Sequence, residues 1–229
     1  MHGKVVILAG AYLWGLVLFL WICVSAYHFA GPGMTEAGRL RFRADGRIEL
    51  PIASGFVYSR TQRVIVSPDQ IPAALIRAIL YQEDRAFYDH PGYSLRENFI
   101  VLRDAVLSGD RLRGASTLTQ QLARILFLEQ NPTLRRKLIE LRIAQILEAR
   151  LSKTAILQLY INYVYWGGAC YGIDCAARRI FGVSPENLNR SQIAYLVAML
   201  PAPNVCVRPE ECSDERLLFR RERLLRHLE

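Results

Sequence analysis

The sequence predicts a mainly α-helical domain carried behind a single N-terminal transmembrane helix, and three observations predict it. No charged residue occurs from Val5 to Tyr27, where the run reads VVILAGAYLWGLVLFLWICVSAY. Beyond Ser67 the apolar residues recur at three- and four-residue spacings, the period of a helix. The only strand-like alternation is confined to residues 39–66.

The elements are taken in chain order. As a helix the first run would be roughly 35 Å long at about 1.5 Å per residue, enough to cross the hydrocarbon core of a bilayer. It is longer than the apolar region of a signal peptide, and no A-x-A-like cleavage site follows cleanly, so residues 1–30 are expected to be an anchor. Charge does not orient it, because Lys4 precedes the run while Arg39, Arg41 and Arg43 follow. Residues 31–66 read as a connector that opens with Gly31-Pro32-Gly33. Within it Leu40 and Phe42 alternate with arginines, Asp45-Gly46 signals a hairpin turn, and Ile48 and Leu50 continue the pattern. Val57 and the run Val64-Ile65-Val66 are expected to add short strands.

A helical domain is expected over residues 67–205. Ser67-Pro68 is a helix start, after which Ile76, Ile79, Leu80 and Glu83 share one face. Asn131-Pro132 opens another helix, whose apolar stripe is Leu134, Leu138, Leu141, Ala144, Leu147 and Leu151. Ser152 caps a third, running through Ile156 and Tyr160 to Gly167-Gly168. Ser184-Pro185 precedes a fourth helical stretch that reaches Leu200. Residues 206–229, ending in the basic and helix-like RRERLLRHLE, read as a tail without an assigned role.

The formal net charge of +8 fits an anionic partner, for which anionic lipid headgroups, a phosphorylated substrate and nucleic acid all qualify, and it fits equally a surface of scattered arginines. The anchor favours the first two, and no nucleic-acid-binding module is present. Cys23 lies inside the anchor run, leaving Cys170, Cys175, Cys206 and Cys212 without a C-x-x-C pair or a zinc pattern. One or two disulfides, with three connectivities, and free buried thiols are both open.

Two carboxylates stand out chemically. Glu83 ends an apolar helix face, where partial desolvation raises a carboxyl pKa and suits it to proton transfer. Asp84, Phe87, His90 and Gly92 follow it closely. Glu140 lies at the edge of its own helix's buried stripe, three residues after Lys137 and seven before Leu147. Between them runs GASTLTQQLAR. There Gly114 and Ala115 permit close backbone approach, and Ser116 or Thr117 caps a helix whose free amides would favour an anion. Gln120, Gln121 and Arg124 add donors, and Arg135, Arg136 and Lys137 add a second cationic group. Such a set suits the transfer of a sugar from a phosphate leaving group: one carboxylate deprotonates an acceptor hydroxyl while cations stabilise the departing pyrophosphate.

Residues from about 60 to 205 resemble glycosyltransferase family 51, the peptidoglycan glycosyltransferases. The resemblance is carried by QEDRAFYDHPG (82–92), GASTLTQQLAR (114–124), RKLIE (136–140), SKTAILQLYINYVYWGG (152–168), YGIDCAARRIFG (171–182) and LVAMLPAPN (196–204). It implies a lysozyme-like α fold with a second, membrane-facing lobe, to which Leu95–Leu107 would contribute. It also implies the monofunctional type, held by one span in the bacterial inner membrane with its catalytic domain in the periplasm.

By position, Glu83 matches the family's general base, which takes the proton from the 4-hydroxyl of lipid II. Glu140 matches the second essential glutamate, which assists leaving-group departure or orders the basic residues and a divalent cation. Arg124, Arg136 and Lys137 match the basic positions around the diphosphate, with Ser116, Thr117, Gln120 and Gln121 in the polar loop beside it. Asp84, Phe87, His90 and Gly114 would support the site. No protein metal site is expected; a divalent cation (Mg2+ or Mn2+) at the pyrophosphate is left open. The expected partners are lipid II, the growing glycan strand, membrane lipids and other cell-wall synthesis proteins, with no nucleic acid. The chain departs from the family in having Arg124 for the usual Lys, Ala115 for a Gly, and Asn131-Pro132 where an Arg is common. The alternative reading is a catalytically weak lipid II-binding scaffold of a wall-synthesis complex.

Overall fold

The computed structural model describes residues 41–42, 48–49, 64–93, 116–127 and 134–229. The predicted anchor, the Gly-Pro-Gly connector, Val57, Leu95–Leu107, Gly114, Ala115 and Asn131-Pro132 lie outside the described residues. Among the described residues no helix is long and apolar enough to cross a membrane.

A short antiparallel pair comes first, β1 (Arg41–Phe42) with β2 (Ile48–Glu49), in the register Arg41 to Glu49 and Phe42 to Ile48. The pairing joins the strands expected on either side of Asp45-Gly46, which itself lies outside the described residues. The expected strand at Val64–Val66 does not form. Instead the Asn162 carboxamide accepts from the Val66 amide at 2.8 Å and donates to its carbonyl at 3.1 Å. One side chain therefore replaces the neighbouring strand, satisfying both buried backbone groups.

From Ala73 onward the mainly helical prediction holds, with α1 (Ala73–Glu83), α2 (Leu118–Phe127), α3 (Leu134–Arg150), α4 (Lys153–Tyr163), α5 (Ile173–Phe181), α6 (Arg190–Met199) and α7 (Glu215–Leu228). Ser67-Pro68 begins a 3-10 turn over Pro68–Gln70 rather than α1 itself, which starts after Pro72. Ser152 caps α4 as expected, accepting from the Ala155 amide at 3.2 Å. Asn189 and Gln192 close a capping box on α6, and Asp214 caps α7 by accepting from Leu217 N at 2.7 Å.

One correction concerns Tyr165–Gly168, expected as the helical end of α4. Tyr165–Gly167 is a strand, β3, paired antiparallel with β4 (Cys170–Tyr171). Gly167 makes the turn possible: its φ is +93°, and a Cβ there would collide with the carbonyl oxygen of Pro203. The cysteines pair with near neighbours, Cys170 with Cys175 and Cys206 with Cys212. The first bond ties β4 to α5, and the second closes the loop that leads into α7.

In the core, α2 packs on α3 and α4, while α1 packs on α6 and α7. Helix α6 is buried from Ile193 to Met199. The basic C-terminal stretch, given no role by its sequence, is an integral helix: Leu217, Leu224 and Leu228 are buried along one face. Each such leucine contributes about 1.5–3 kcal/mol by leaving water. On α7's polar side Arg223 donates to Gln82 Oε1 at 2.8 Å, and His227 stacks on Tyr81 with ring centroids 3.9 Å apart. Both contacts hold the end of α1.

Candidate active site

The site is built where α1 ends and α2 begins. Asp84 leaves the helical conformation, and its buried carboxylate turns toward the start of α2, where Oδ2 accepts from the Leu118 amide at 2.9 Å. A carboxylate at that terminus answers both a free amide and the positive end of the helix dipole. His90 lies 3.0 Å from both Asp84 oxygens through Nε2, while its Nδ1 accepts from the Gly92 amide at 3.1 Å. The Gly92 bond leaves Nδ1 unprotonated, so Nε2 carries the proton and donates to Asp84. Thr117 and Gln120 complete the start of α2 as a capping box. The Thr117 amide donates to Gln120 Oε1 at 3.1 Å, and the Gln120 amide donates to Thr117 Oγ1 at 3.2 Å. Thr117 Oγ1 also donates to the Gly92 carbonyl at 2.7 Å.

Two polar residues absent from the sequence reading underpin this corner. Glu148 accepts from Thr119 Oγ1 and from Lys153 Nζ, the latter at 2.8 Å, and Lys153 also donates to the His90 carbonyl at 2.6 Å. Lys153 lies 4.6 Å from the centre of the buried Phe87 ring. Glu148 lies two helical turns beyond Glu140 on the same face of α3, a spacing legible in the sequence. Gly92 sits against it with φ +86°, and a Cβ there would be 2.6 Å from Glu148 Cγ.

With α1 and α2 joined in this way, Glu83 meets Gln121, whose Nε2 donates to Glu83 Oε2 at 3.1 Å. Burial pushes the Glu83 carboxyl above the ordinary glutamate range. The Gln121 bond and the cations Arg220 and Arg124 pull it back, and neighbouring Asp84 adds to the rise. The expectation of a desolvated carboxyl at this position is met. Arg220 is a third residue that the sequence reading missed. It reaches the site from α7, anchored by Nε to the Ala198 carbonyl at 2.9 Å.

Glu140 occupies the middle of the buried stripe, not its edge. It is fully buried with Ile143, Ala144 and Leu147, whereas Leu141 is only half-buried. Its Oε1 accepts from Lys137 Nζ at 2.7 Å, and Arg124 approaches Oε2 at 3.9 Å. The two cations keep 39 % and 36 % of their side-chain surface open, so they can meet a ligand that Glu140 cannot. Arg136 is half-buried beside Lys137 on α3. Ser116 joins the two centres: its carbonyl accepts from Gln121 Nε2 at 3.3 Å and its Oγ from Lys137 Nζ at 2.6 Å.

Glu140 Oε1 is taken by Lys137, while its buried Oε2 has no hydrogen-bond partner among the described residues, Arg124 standing at 3.9 Å. Among the described residues no group of three His, Cys, Asp or Glu side chains is placed to hold a metal ion.

A desolvated carboxylate is thus joined through one serine to a pair of cations beside a second, buried carboxylate. Residues 51–229 match the transglycosylase family, and the chain belongs to that family of peptidoglycan glycosyltransferases. It is 34 % identical over 217 residues to a biosynthetic peptidoglycan transglycosylase of Cupriavidus metallidurans, covering 93 % of this chain and 90 % of that protein. It is 42 % identical over 137 residues to a protein of the same name from Alcanivorax borkumensis, covering 60 % of this chain and 56 % of that one. Penicillin-binding protein 1A of Escherichia coli is 35 % identical over 185 residues, 78 % of this chain but only 21 % of that longer protein.

Proposed function

We propose that this domain polymerises lipid II into β-1,4-linked glycan strands with release of undecaprenyl pyrophosphate. In this reading Glu83 takes the proton from the 4-hydroxyl of the incoming lipid II. The freed oxygen attacks the anomeric carbon of the growing strand and inverts it. The bond from that carbon to the diphosphate oxygen breaks, and its electron pair leaves with the diphosphate. Arg124 and Lys137, with Arg136 beside them, receive the developing charge, held in place by the buried Glu140. Thr117 and Gln120 act one step back by fixing the start of α2, while Ser116 and Gln121 line the reacting side.

The observation that carries this reading is the Ser116 junction. Glu83's partner Gln121 bonds the Ser116 carbonyl and Glu140's partner Lys137 bonds the Ser116 hydroxyl, so one residue links the base's partner to a leaving-group cation. A base in this position must be charged at working pH yet basic enough to accept a proton, and burial of Glu83 supplies the second condition.

The chain is further proposed to be single-pass in the bacterial inner membrane, with its anchor over residues 1–30 and this domain in the periplasm. A membrane-facing lobe containing Leu95–Leu107 would meet the lipid chains. The two disulfides favour an oxidising compartment over the cytoplasm.

The test is strand formation from purified lipid II by wild type and by Glu83→Gln. Lysozyme-sensitive polymer is expected from the wild type and essentially none from the variant. A folded wild type that binds lipid II and makes no polymer would overturn the enzymatic reading in favour of the scaffold.

A further inference from the structure

We infer that Tyr160 is a positioning residue for Glu83, acting through the Gln121 carboxamide. The inference rests on Glu83 serving as the base. Tyr160 comes from α4, is buried, and donates from its hydroxyl to Gln121 Oε1 at 3.1 Å. The other end of the same carboxamide donates to Glu83 Oε2 at 3.1 Å and to the Ser116 carbonyl at 3.3 Å.

This geometry allows one orientation of the amide. Glu83 and the Ser116 carbonyl both need a donor, so the NH2 group must face them. The Gln121 oxygen is then directed at Tyr160. Turning the amide over would set that oxygen against a carboxylate and a carbonyl. Without the phenol, the oxygen of the half-buried Gln121 loses its donor from α4, and nothing then fixes the carboxamide in this orientation. Its NH2 is free to leave Glu83. Burial holds the Tyr160 hydroxyl protonated, raising its pKa well above the ordinary value, with the nearby Glu83 charge adding to the effect. The phenol therefore remains a donor throughout the working range of the base. Gln121 bonds Oε2 of Glu83, and among the described residues no hydrogen bond engages Oε1, which leaves that oxygen to receive the acceptor's proton.

The groups that face Glu83 are Gln121 and Arg124 from α2, Arg220 from α7, Tyr160 from α4, and Asp84 next in the chain. Of these, only Gln121 gives it a hydrogen bond among the described residues. A bond to the charged form lowers a carboxyl pKa, so losing it must raise that of Glu83.

The experiment follows the Glu83 carboxyl by 13C NMR titration of the full chain in detergent micelles, beside steady-state polymerisation of lipid II. Tyr160→Phe is expected to move the Glu83 titration and the acid limb of the rate profile to higher pH. It should lower kcat roughly five- to tenfold with little change in KM. Gln121→Leu should move the titration in the same direction, and adding Tyr160→Phe to it should produce no further movement. Placing 3-fluorotyrosine at position 160 keeps the fold while strengthening the donor, and should move the titration to lower pH. The inference is overturned if Tyr160→Phe leaves Glu83 unmoved, if its effect survives in full beside Gln121→Leu, or if fluorotyrosine moves Glu83 upward or not at all. The NMR arm needs no turnover, so failure of the polymerase reading would appear separately, as a wild type that titrates as described and makes no strand.

Discussion

Replacing Lys137 by Met tests how the buried charge of Glu140 is tolerated. Glu140 is fully buried and accepts one short bond from Lys137, while Arg124 stands at 3.9 Å. Removing one partner of a fully buried ion pair costs about 3–5 kcal/mol. Lys137 is 39 % exposed, so water reaches this pair and the surviving Arg124 answers part of the charge. Those two facts bring the expected loss down to about 2 kcal/mol. For a domain of this size that corresponds to a fall in Tm of about 4–8 °C. The assay is thermal unfolding of the detergent-solubilised chain, followed by circular dichroism. The double variant Lys137→Met with Glu140→Gln removes the unpaired charge and should recover most of the lost stability, though not activity. An unchanged Tm in the single variant, or no recovery in the double, would refute the view that Lys137 compensates Glu140.

Three further outcomes are expected from the same geometry. Removing the Arg220 charge as Arg220→Met takes away a cation that favours ionised Glu83, so the acid limb of the pH–rate profile should move to higher pH. The sign is the same for wild type against free glutamate: Glu83's raised pKa means the base form is lost above the usual glutamate range as pH falls. Asp84→Asn weakens both the Leu118 cap and the His90 bond, and should cost about 1–2 kcal/mol in chemical denaturation. Gly92→Ala puts a Cβ 2.6 Å from Glu148 Cγ at φ +86°, and should cost about 1–3 kcal/mol by the same measurement.

The two carboxylates of the candidate site were readable because their placement breaks a helical rule. A carboxylate closing the apolar face Ile76, Ile79, Leu80 has few explanations, and desolvation of Glu83 is what the structure gives. Glu140 was recognisable for the same reason, although its depth was not. The leucines of α3 suggested one stripe, yet the helix buries Glu140, Ile143, Ala144 and Leu147, because α2 packs against that side. Periodicity finds an apolar face but cannot say which of two neighbouring faces the tertiary partner will cover. The turn at Gly167–Ala169 was missed because β3 and β4 are too short to show alternation, and their signal is in φ angles rather than side chains. Val64–Val66 read as a strand on β-branched content alone, and nothing local indicates that Asn162 would satisfy its backbone. The contribution of Arg220 depends on α7 folding back onto α1, a contact across most of the domain that no local pattern records.

That return of α7 sets the order in which the machinery is completed. Glu83, Gln121 and Glu140 all leave the ribosome before the arginines of α7. A nascent or interrupted chain lacking α7 would hold every one of those side chains, yet Gln82 would lack its Arg223 bond and Tyr81 its stacked His227. A chain short of the final helix is thus left with the α1 surface uncovered and Glu83 without one of its nearby cations.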